Sequence, residues 1–167
     1  MCRVMKRWTG GLARHSVRWT MLSQVPLPAR VLGLAGLIPF IAGAVGVWVL
    51  SDLYAAIAMT AQMAYGAVIL SFLGAVHWGY AMHGELAWPR LLWSVAPALV
   101  AWVALLVTPL ETTLILIVSF VLAFYTDARA ARSGLFPRWY LDLRKVLTLG
   151  VVLSLAATLV RIYVSGL

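Results

Sequence analysis

The feature that most constrains this chain is a series of five apolar stretches, each long enough to cross a lipid bilayer. A helix needs about 20 mostly apolar residues to span roughly 30 Å of hydrocarbon. Five segments meet this length: 31–50, 57–79, 89–108, 109–126 and 146–164. Neither the tail 1–30 nor the segment 127–145 is large enough to form a soluble domain. The sequence therefore predicts an all-α integral membrane protein, a single five-helix transmembrane bundle over residues 31–164.

The composition agrees with a membrane location and excludes other classes. Only 11% of the 167 residues are charged, against about 25% in a soluble domain, and 63% are hydrophobic. The net charge of +8 would suggest nucleic-acid binding in a soluble protein. In a chain this apolar, positive charge indicates topology instead, so we expect no nucleic-acid partner. With Cys2 as the single cysteine, an intramolecular disulfide and a thiolate metal site are both excluded.

Local signals separate the third predicted span from the fourth. Pro109 suits the first position of a new helix, where no backbone N–H is needed. Thr108 and Glu111 match the capping-box pattern. Gly134 is suited to cap the fourth helix, which we expect to continue past the bilayer through 127–133. The sequence thus predicts two helices here and not one long helix.

Pro97 lies inside the third predicted span. A proline there cannot donate to the carbonyl of Trp93, so it frees that group and bends the helix. We expect Ser94 or a neighbouring helix to bond the freed carbonyl, because membrane interiors offer no water for it.

The basic residues indicate the orientation of the bundle. In a five-span chain, 12 of the 13 fall on one face: Arg3, Lys6, Arg7, Arg14, Arg18, Arg30, Arg90, Arg129, Arg132, Arg138, Arg144 and Lys145. By the positive-inside rule, the N-terminus is cytoplasmic and the C-terminus is outside. We expect the inner membrane of a bacterium, or the mitochondrial inner membrane if the source is eukaryotic.

The tail 1–30 is rich in arginine and has no apolar run typical of a cleaved secretory signal. Three interpretations remain open. The tail is a cytoplasmic anchoring arm, a transit-like presequence, or an extension upstream of a true start at Met21, in which case residues 1–20 are not native. As an arm, Trp8 and Trp19 among arginines suit anionic lipid headgroups.

The second span carries two stripes. Its polar candidate site consists of Gln62, Tyr65, Ser71 and His77, and three of these, Ser71 excepted, share an arc of about 120° with Tyr80. A stripe of small residues lies opposite: Ala67, Ser71, Ala75 and Gly79. Small residues let helices approach closely, which predicts a central place for this span. The polar stripe either forms interhelical hydrogen bonds or lines a cavity for a proton, a quinone-like headgroup or a small solute.

His77 is a candidate proton relay or ligand, but a metal or haem site needs partners. His77 and His83 do not share a helix face, and His15 lies in the tail. We therefore expect no metal and no cofactor, and a hydrogen-bonded structural role for His77.

Charged residues at the predicted inner face form a second candidate cluster: Glu85, Asp127, Arg129, Asp142 and Arg144. We expect a ring of ion pairs at a wet interface, each contributing little. Segment 137–145 is amphipathic and predicted to lie along the membrane. No predicted span holds an acidic residue deeper than Glu111, so Arg161 is expected to extend to the outer surface.

No catalytic motif occurs in the chain: G-x-S-x-G, H-E-x-x-H and a phosphate-binding glycine loop are all missing. The sequence therefore favours a non-enzymatic accessory or assembly protein that packs against the helices of a membrane partner. The alternative is a conduit for protons or small solutes along the second span, and a homo-oligomer could also form a pore.

The segment 65–79, YGAVILSFLGAVHWG, resembles the signature of the transmembrane-protein-69-like family of small multi-span proteins. Similar stretches are Leu34–Pro39, Ser94–Pro97 with Trp102, Asp127, Pro137–Tyr140 and Leu143–Thr148. The resemblance covers residues 24–163 and implies a membrane location and a five-span fold. It supplies no catalytic residue.

Overall fold

The computed structural model describes residues 25–82, 88–134 and 136–165, without the side chains of Arg90 and Arg138. The predictions for the tail up to residue 24, for His83 and for Glu85 lie outside these residues. The described chain is all helical, as predicted, and its elements are α1 (Leu27–Ala35), α2 (Ile38–Val49), α3 (Asp52–Ala81), α4 (Trp88–Ala104), α5 (Pro109–Arg132) and α6 (Arg138–Ser165).

Helices α1 and α2 together form the first pass, Leu27–Val49, which starts earlier than the predicted 31–50 and is broken. Pro39 in the first turn of α2 has no N–H to donate to the carbonyl of Ala35. The chain compensates with tighter bonds, from the Gly36 N–H to the Gly33 carbonyl at 3.1 Å and from Leu37 to Leu34 at 3.0 Å. This break was not among the features predicted from the sequence.

Four segments are long and apolar enough to span a bilayer: α1 with α2, α3, α5 and α6. Helix α4 has 17 residues, about 25 Å at 1.5 Å per residue, and ends at Ala104, before the predicted 108. Helix α3 has 30 residues and extends beyond the predicted 57–79 at both ends. Helix α3 is thus the longest described helix, and α4 and α5, each shorter than α3, form a hairpin beside it.

Contacts between the helices give the direction of each pass. Gly66 lies against Leu116 and His77 bonds Asp127, so α3 and α5 are parallel. Thr158, late in α6, bonds Gln62, which is early in α3. Arg144, early in α6, bonds Asp127, which also bonds His77 late in α3. Helix α6 is therefore antiparallel to α3 and α5. For α5 to run parallel to α3, α4 must return the chain. The fold therefore contains five passes.

The predicted boundaries around α5 are confirmed. The Thr108 N–H donates to Glu111 Oε2 at 3.1 Å, and the Glu111 N–H donates to Thr108 Oγ1 at 3.5 Å, which completes the capping box. Helix α5 runs past the predicted span to Arg132, and Gly134 follows with a φ of +81°. That backbone conformation favours glycine.

One other expectation is wrong. Segment 137–145 does not form a separate surface helix, because α6 is continuous from Arg138 to Ser165 and already buries Leu143 and Arg144. Of the two groups expected to bond the carbonyl freed by Pro97, Ser94 does not, because its hydroxyl donates to the carbonyl of Leu91 at 2.6 Å. A bond from a neighbouring helix stays a prediction.

The core lies where α2, α3, α5 and α6 meet. Its fully buried side chains include Phe40, Leu70, Leu116, Phe120 and Leu155. The Phe40 ring packs edge-to-face on Phe120, with centroids 5.9 Å apart, a favoured aromatic geometry. Polar side chains lie above and below this apolar layer, and they form the sites described next.

A buried ion-pair cluster and the adjoining cavity

Asp127 is the most deeply buried charged residue described, with 1% of its surface exposed. It follows Leu116, Phe120 and Ala123 on α5, and all four are buried. Steps of four, three and four residues keep them on one face of the helix. The inward face of α5 therefore carries an acidic group between the helices of the bundle, a burial that the sequence did not predict.

Three donors from two helices surround the Asp127 carboxylate. His77 Nε2 of α3 donates to Oδ1 at 2.8 Å, and Arg144 Nε of α6 donates to Oδ2 at 2.7 Å. The hydroxyl of Tyr140 lies 3.3 Å from Oδ2. Because a buried charge is costly without a partner, the Asp127 cluster (Asp127, His77, Arg144 and Tyr140) ties the ends of α3, α5 and α6 together.

The ring of charges predicted at the inner face does not form among the described residues. Asp142 bonds Lys145 at 3.2 Å, in a partly exposed pair on α6. The guanidinium of Arg129 lies 5.2 Å from the ring centroid of Tyr125. Of the predicted set, the structure brings together Asp127 and Arg144, and it joins them to His77 from the other candidate site.

Aromatic rings cover the Asp127 cluster. Phe136 stacks edge-on against His77 at 5.6 Å between centroids and against Tyr80 at 5.7 Å. Its centroid is 4.9 Å from that of Tyr140. These rings exclude water from one side of the carboxylate, which strengthens its hydrogen bonds.

Gln62 forms a second polar junction, near the opposite end of the bundle. Its Nε2 donates to the Phe40 carbonyl of α2 at 2.8 Å, and its Oε1 accepts from the Thr158 hydroxyl of α6 at 2.7 Å. Gly43 makes room for this side chain, since a Cβ there would lie 2.6 Å from the Gln62 Cβ. Both ends of the buried amide are therefore bonded to other helices.

The remaining predicted residues of α3 have separate surroundings. The Tyr65 hydroxyl donates to the Gly36 carbonyl at 3.2 Å, at the break between α1 and α2. Ser71 donates to Ala67 within its own helix at 2.9 Å and joins no polar site. In the predicted small-residue stripe, Ala67 is buried, whereas Ala75 and Gly79 are exposed.

Arg161 of α6 is half-buried against α2. Its Nε donates to the Val47 carbonyl at 3.0 Å, and its guanidinium lies 5.9 Å from the Trp48 ring centroid. Trp48 Nε1 donates back to the Ala157 carbonyl at 3.2 Å. Arg161 thus links two helices in addition to any contact at the membrane surface.

We expect Gln62→Leu to lower the free energy of unfolding by about 1 kcal/mol, because interhelical hydrogen bonds in membranes contribute about that much. The substitution removes the hydrogen bonds from Gln62 to the Phe40 carbonyl and from the Thr158 hydroxyl to Gln62. Unfolding of the full chain in mixed micelles measures it. The control is Ser71→Ala, which removes a bond within one helix. Equal stability of the two variants would contradict the junction.

Two cavities flank the Asp127 cluster. The larger, of about 480 Å³, lies among α1, α2, α3, α5 and α6, and Tyr140 and Arg144 line it. The smaller, of about 250 Å³, is lined by His77 with residues of α4 and α5. Within the described residues, no three His, Cys, Asp or Glu side chains group as a metal site would require. The larger cavity thus combines the hydrogen-bond donors Tyr140 and Arg144 with an apolar lining, which suits the binding of an amphiphilic molecule.

The contacts of Tyr140 with Asp127 and of Thr158 with Gln62 were not predicted from the sequence. Their signal was a periodic one that crosses the predicted span boundary at residue 146. Six of the buried positions of α6 recur every three or four residues, with Leu143 and Ser154 buried beside them: Arg144, Thr148, Val151, Leu155, Thr158 and Ile162. A helical stripe that includes polar residues predicts an inward polar face.

The chain is similar to known membrane proteins. The model of the family described as "Protein of unknown function (DUF3429)" matches residues 25–160. A Xenopus tropicalis protein named "Transmembrane protein 69" is 39% identical over 156 residues, covering 90% of this chain and 60% of that protein. The mouse protein of the same name is 34% identical over 147 residues, with 84% and 59% covered. The chain thus spans about three fifths of the length of these curated relatives. No solved structure matches it.

Proposed function

Because the chain belongs to the DUF3429 family and has relatives named transmembrane protein 69, we propose that it is a non-enzymatic accessory protein of its membrane. In this role it packs against helices of a membrane partner and assists the assembly of that partner. The resemblance found at 65–79 is confirmed by these relatives. The protein is an integral, multi-pass membrane protein.

One observation carries the proposal: three polar side chains of α3 bond to neighbouring helices. Gln62 joins α2 and α6, Tyr65 joins the first pass, and His77 joins α5. Interhelical bonds of this kind hold membrane helices in one arrangement. They favour a rigid bundle that works through its apolar outer surface.

The same bonds weigh against the alternative of a proton or solute conduit. Conduction along α3 needs polar groups that exchange partners with a passing ion or solute. Both ends of the Gln62 amide are already bonded, and the apolar layer of Phe40, Leu70 and Phe120 separates Gln62 from the Asp127 cluster. A conduit would have to open this layer.

The test is co-purification of the tagged full chain at native abundance in a mild detergent, followed by mass spectrometry. We expect one membrane protein to co-purify at fixed stoichiometry. A Gln62→Leu variant that stays folded should retain this partner, and one that unfolds should lose it. A matched tag on an unrelated multi-span protein identifies carry-over. Recovery of self-oligomers alone contradicts the proposal.

A flux assay in liposomes tests the alternative directly. An accessory protein gives the same proton and small-solute leakage as empty liposomes. Flux through the wild-type chain that disappears in His77→Ala or in Gln62→Leu would overturn the accessory role. The two substitutions separate the Asp127 cluster from the Gln62 junction, so they also locate the pathway.

We place the protein in a bacterial inner membrane, or in the mitochondrial inner membrane if the source is eukaryotic. The basic ends of α5 and α6 face the cytoplasm or the matrix. The support is the positive-inside rule together with the parallel course of α3 and α5, which puts their C-terminal ends on one side. Anionic lipid headgroups are the expected neighbours of that side.

A further inference from the structure

The cavity of about 480 Å³ described above is apolar over nearly all of its lining. Leu32 of α1, Leu37 in the turn before α2, Ile69 and Phe72 of α3, and Val151 of α6 contribute to this lining. Its volume lies within the range of about 300–1,000 Å³ typical of small-molecule sites. An apolar cavity of this size accommodates a hydrocarbon chain.

Two residues of the lining, Arg144 and Thr148, each have a buried polar atom with no hydrogen-bond partner among the described residues: Nη2 of Arg144 and Oγ1 of Thr148. Both side chains are more than nine-tenths buried, with Arg144 5% and Thr148 8% exposed. Four residues apart on α6, they lie on the same helix face. Buried polar atoms are normally paired, so their shared position indicates a missing partner.

Thr148 differs in this respect from most threonines of the protein. Thr60, Thr112, Thr113 and Thr158 each donate to the carbonyl four residues earlier. The Thr148 hydroxyl makes no such bond within the described chain, which leaves its hydrogen without an acceptor beside the cavity that Thr148 lines. The guanidinium of Arg144 is a donor only. A ligand must therefore bring an acceptor.

We infer that the cavity binds an acyl-chain amphiphile whose carboxylate or phosphate accepts from Arg144 Nη2 and Thr148 Oγ1. The hydrocarbon chain fills the apolar space among α1, α3 and α6. This site goes beyond the accessory role and holds whether or not a protein partner exists.

Asp127 holds the Arg144 guanidinium in a fixed position beside the cavity. Asp127 holds Arg144 Nε at 2.7 Å, which fixes the planar guanidinium and leaves Nη2 for a second acceptor. A charge-assisted bond to a carboxylate or phosphate is stronger than one to a neutral oxygen. Preorganisation of the donor lowers the entropic cost of binding.

The depth of the two donors suits an acyl headgroup. Trp139, an aromatic residue of the type found at membrane interfaces, lies five residues before Arg144 on α6. At 1.5 Å per residue, Arg144 is roughly 7 Å further along the helix. The head of the ligand thus lies just inside the interfacial aromatic layer, and its chain extends toward the bilayer centre.

The test uses the full chain in phosphatidylcholine nanodiscs with photoreactive palmitate as the probe. We expect labelling of peptides that line the cavity, in competition with unlabelled palmitate. Hexadecylamine carries the same chain with a donor head, so we expect it to compete at least tenfold less well. Equal competition by the amine, or the absence of cavity labelling, would overturn the inference.

Matched variants isolate the headgroup contact. Thr148→Val removes the hydroxyl with little change of volume, and we expect about tenfold weaker labelling. Thr60→Val makes the same change at an exposed site bonded within α3 and leaves labelling unchanged. Equal labelling of the two folded variants would also overturn the inference.

A size variant keeps the test decisive if Thr148→Val does not fold. Ala29 lines the cavity, and Ala29→Phe places a ring in it, so we expect labelling to fall at least tenfold. Unchanged labelling would contradict the site. Lysophosphatidate competing better than palmitate identifies a phosphate head, and the reverse identifies a carboxylate; either ranking supports the shared chemistry.

Discussion

Replacing Asp127 with asparagine is expected to destabilise the protein more than any other conservative change, by about 3 kcal/mol. Asparagine keeps the shape of the side chain but removes the negative charge that Arg144 Nε meets at 2.7 Å. The guanidinium then remains buried without a counter-charge, and His77 loses a charged acceptor. The measurement is the free energy of unfolding of the full chain in mixed micelles.

Asp142→Asn is the matched control for this prediction. It makes the same chemical change on the neighbouring helix, in a pair with Lys145 at 3.2 Å whose side chains are 34% and 51% exposed. Exposed pairs contribute at most about 1 kcal/mol. If Asp127→Asn and Asp142→Asn are equally stable, the Asp127 cluster does not hold the helices together.

The second large effect is expected for Gly74→Ala, which should lower the free energy of unfolding by about 2–3 kcal/mol. A Cβ at Gly74 would lie closer than 3.0 Å to the backbone carbonyl oxygen of Ser94 and 3.3 Å from Pro97 Cγ. A backbone atom cannot move aside as a side chain does, so α3 and α4 must separate. Overpacking of this kind costs about 1–3 kcal/mol.

Gly79→Ala is the control on the same helix. Among the described residues no atom lies within 4 Å of a Cβ at this position, and alanine is the better helix former. We expect unchanged or slightly higher stability, measured in the same micelles. Equal losses for the two glycines would show that the close contact between α3 and α4 is not required.

The passes of the chain could be predicted because hydrophobic length and capping are local properties. The Thr108–Glu111 box and Gly134 each act within a few residues, and both occur as predicted. Pro39 carried the signal for the break after Ala35, since proline cannot donate within a helix. A search for apolar length alone passes over that signal.

The Asp127 cluster could not be predicted in the same way, because it depends on contacts between helices distant in sequence. A hydropathy window ends the fourth span at residue 126 and so assigns Asp127 to the helix beyond the bilayer, although its side chain is buried in the bundle. Spacing along α5 places Asp127 with Phe120 and Ala123. The sequence predicts Asp127 and Arg144 in one charged cluster, but only the packing of α3 against α5 shows that His77 joins them.

The contacts between the helices require five passes, with the C-terminal ends of α3 and α5 on one side of the membrane. This topology is tested with reporters that are active only on the outer side of the membrane and are fused after Ser51, Ser133 or Leu167. We expect activity after Ser51 and Leu167 and silence after Ser133. Activity after Ser133 with silence after Leu167 would mean that α4 does not cross, and it would contradict the parallel course of α3 and α5.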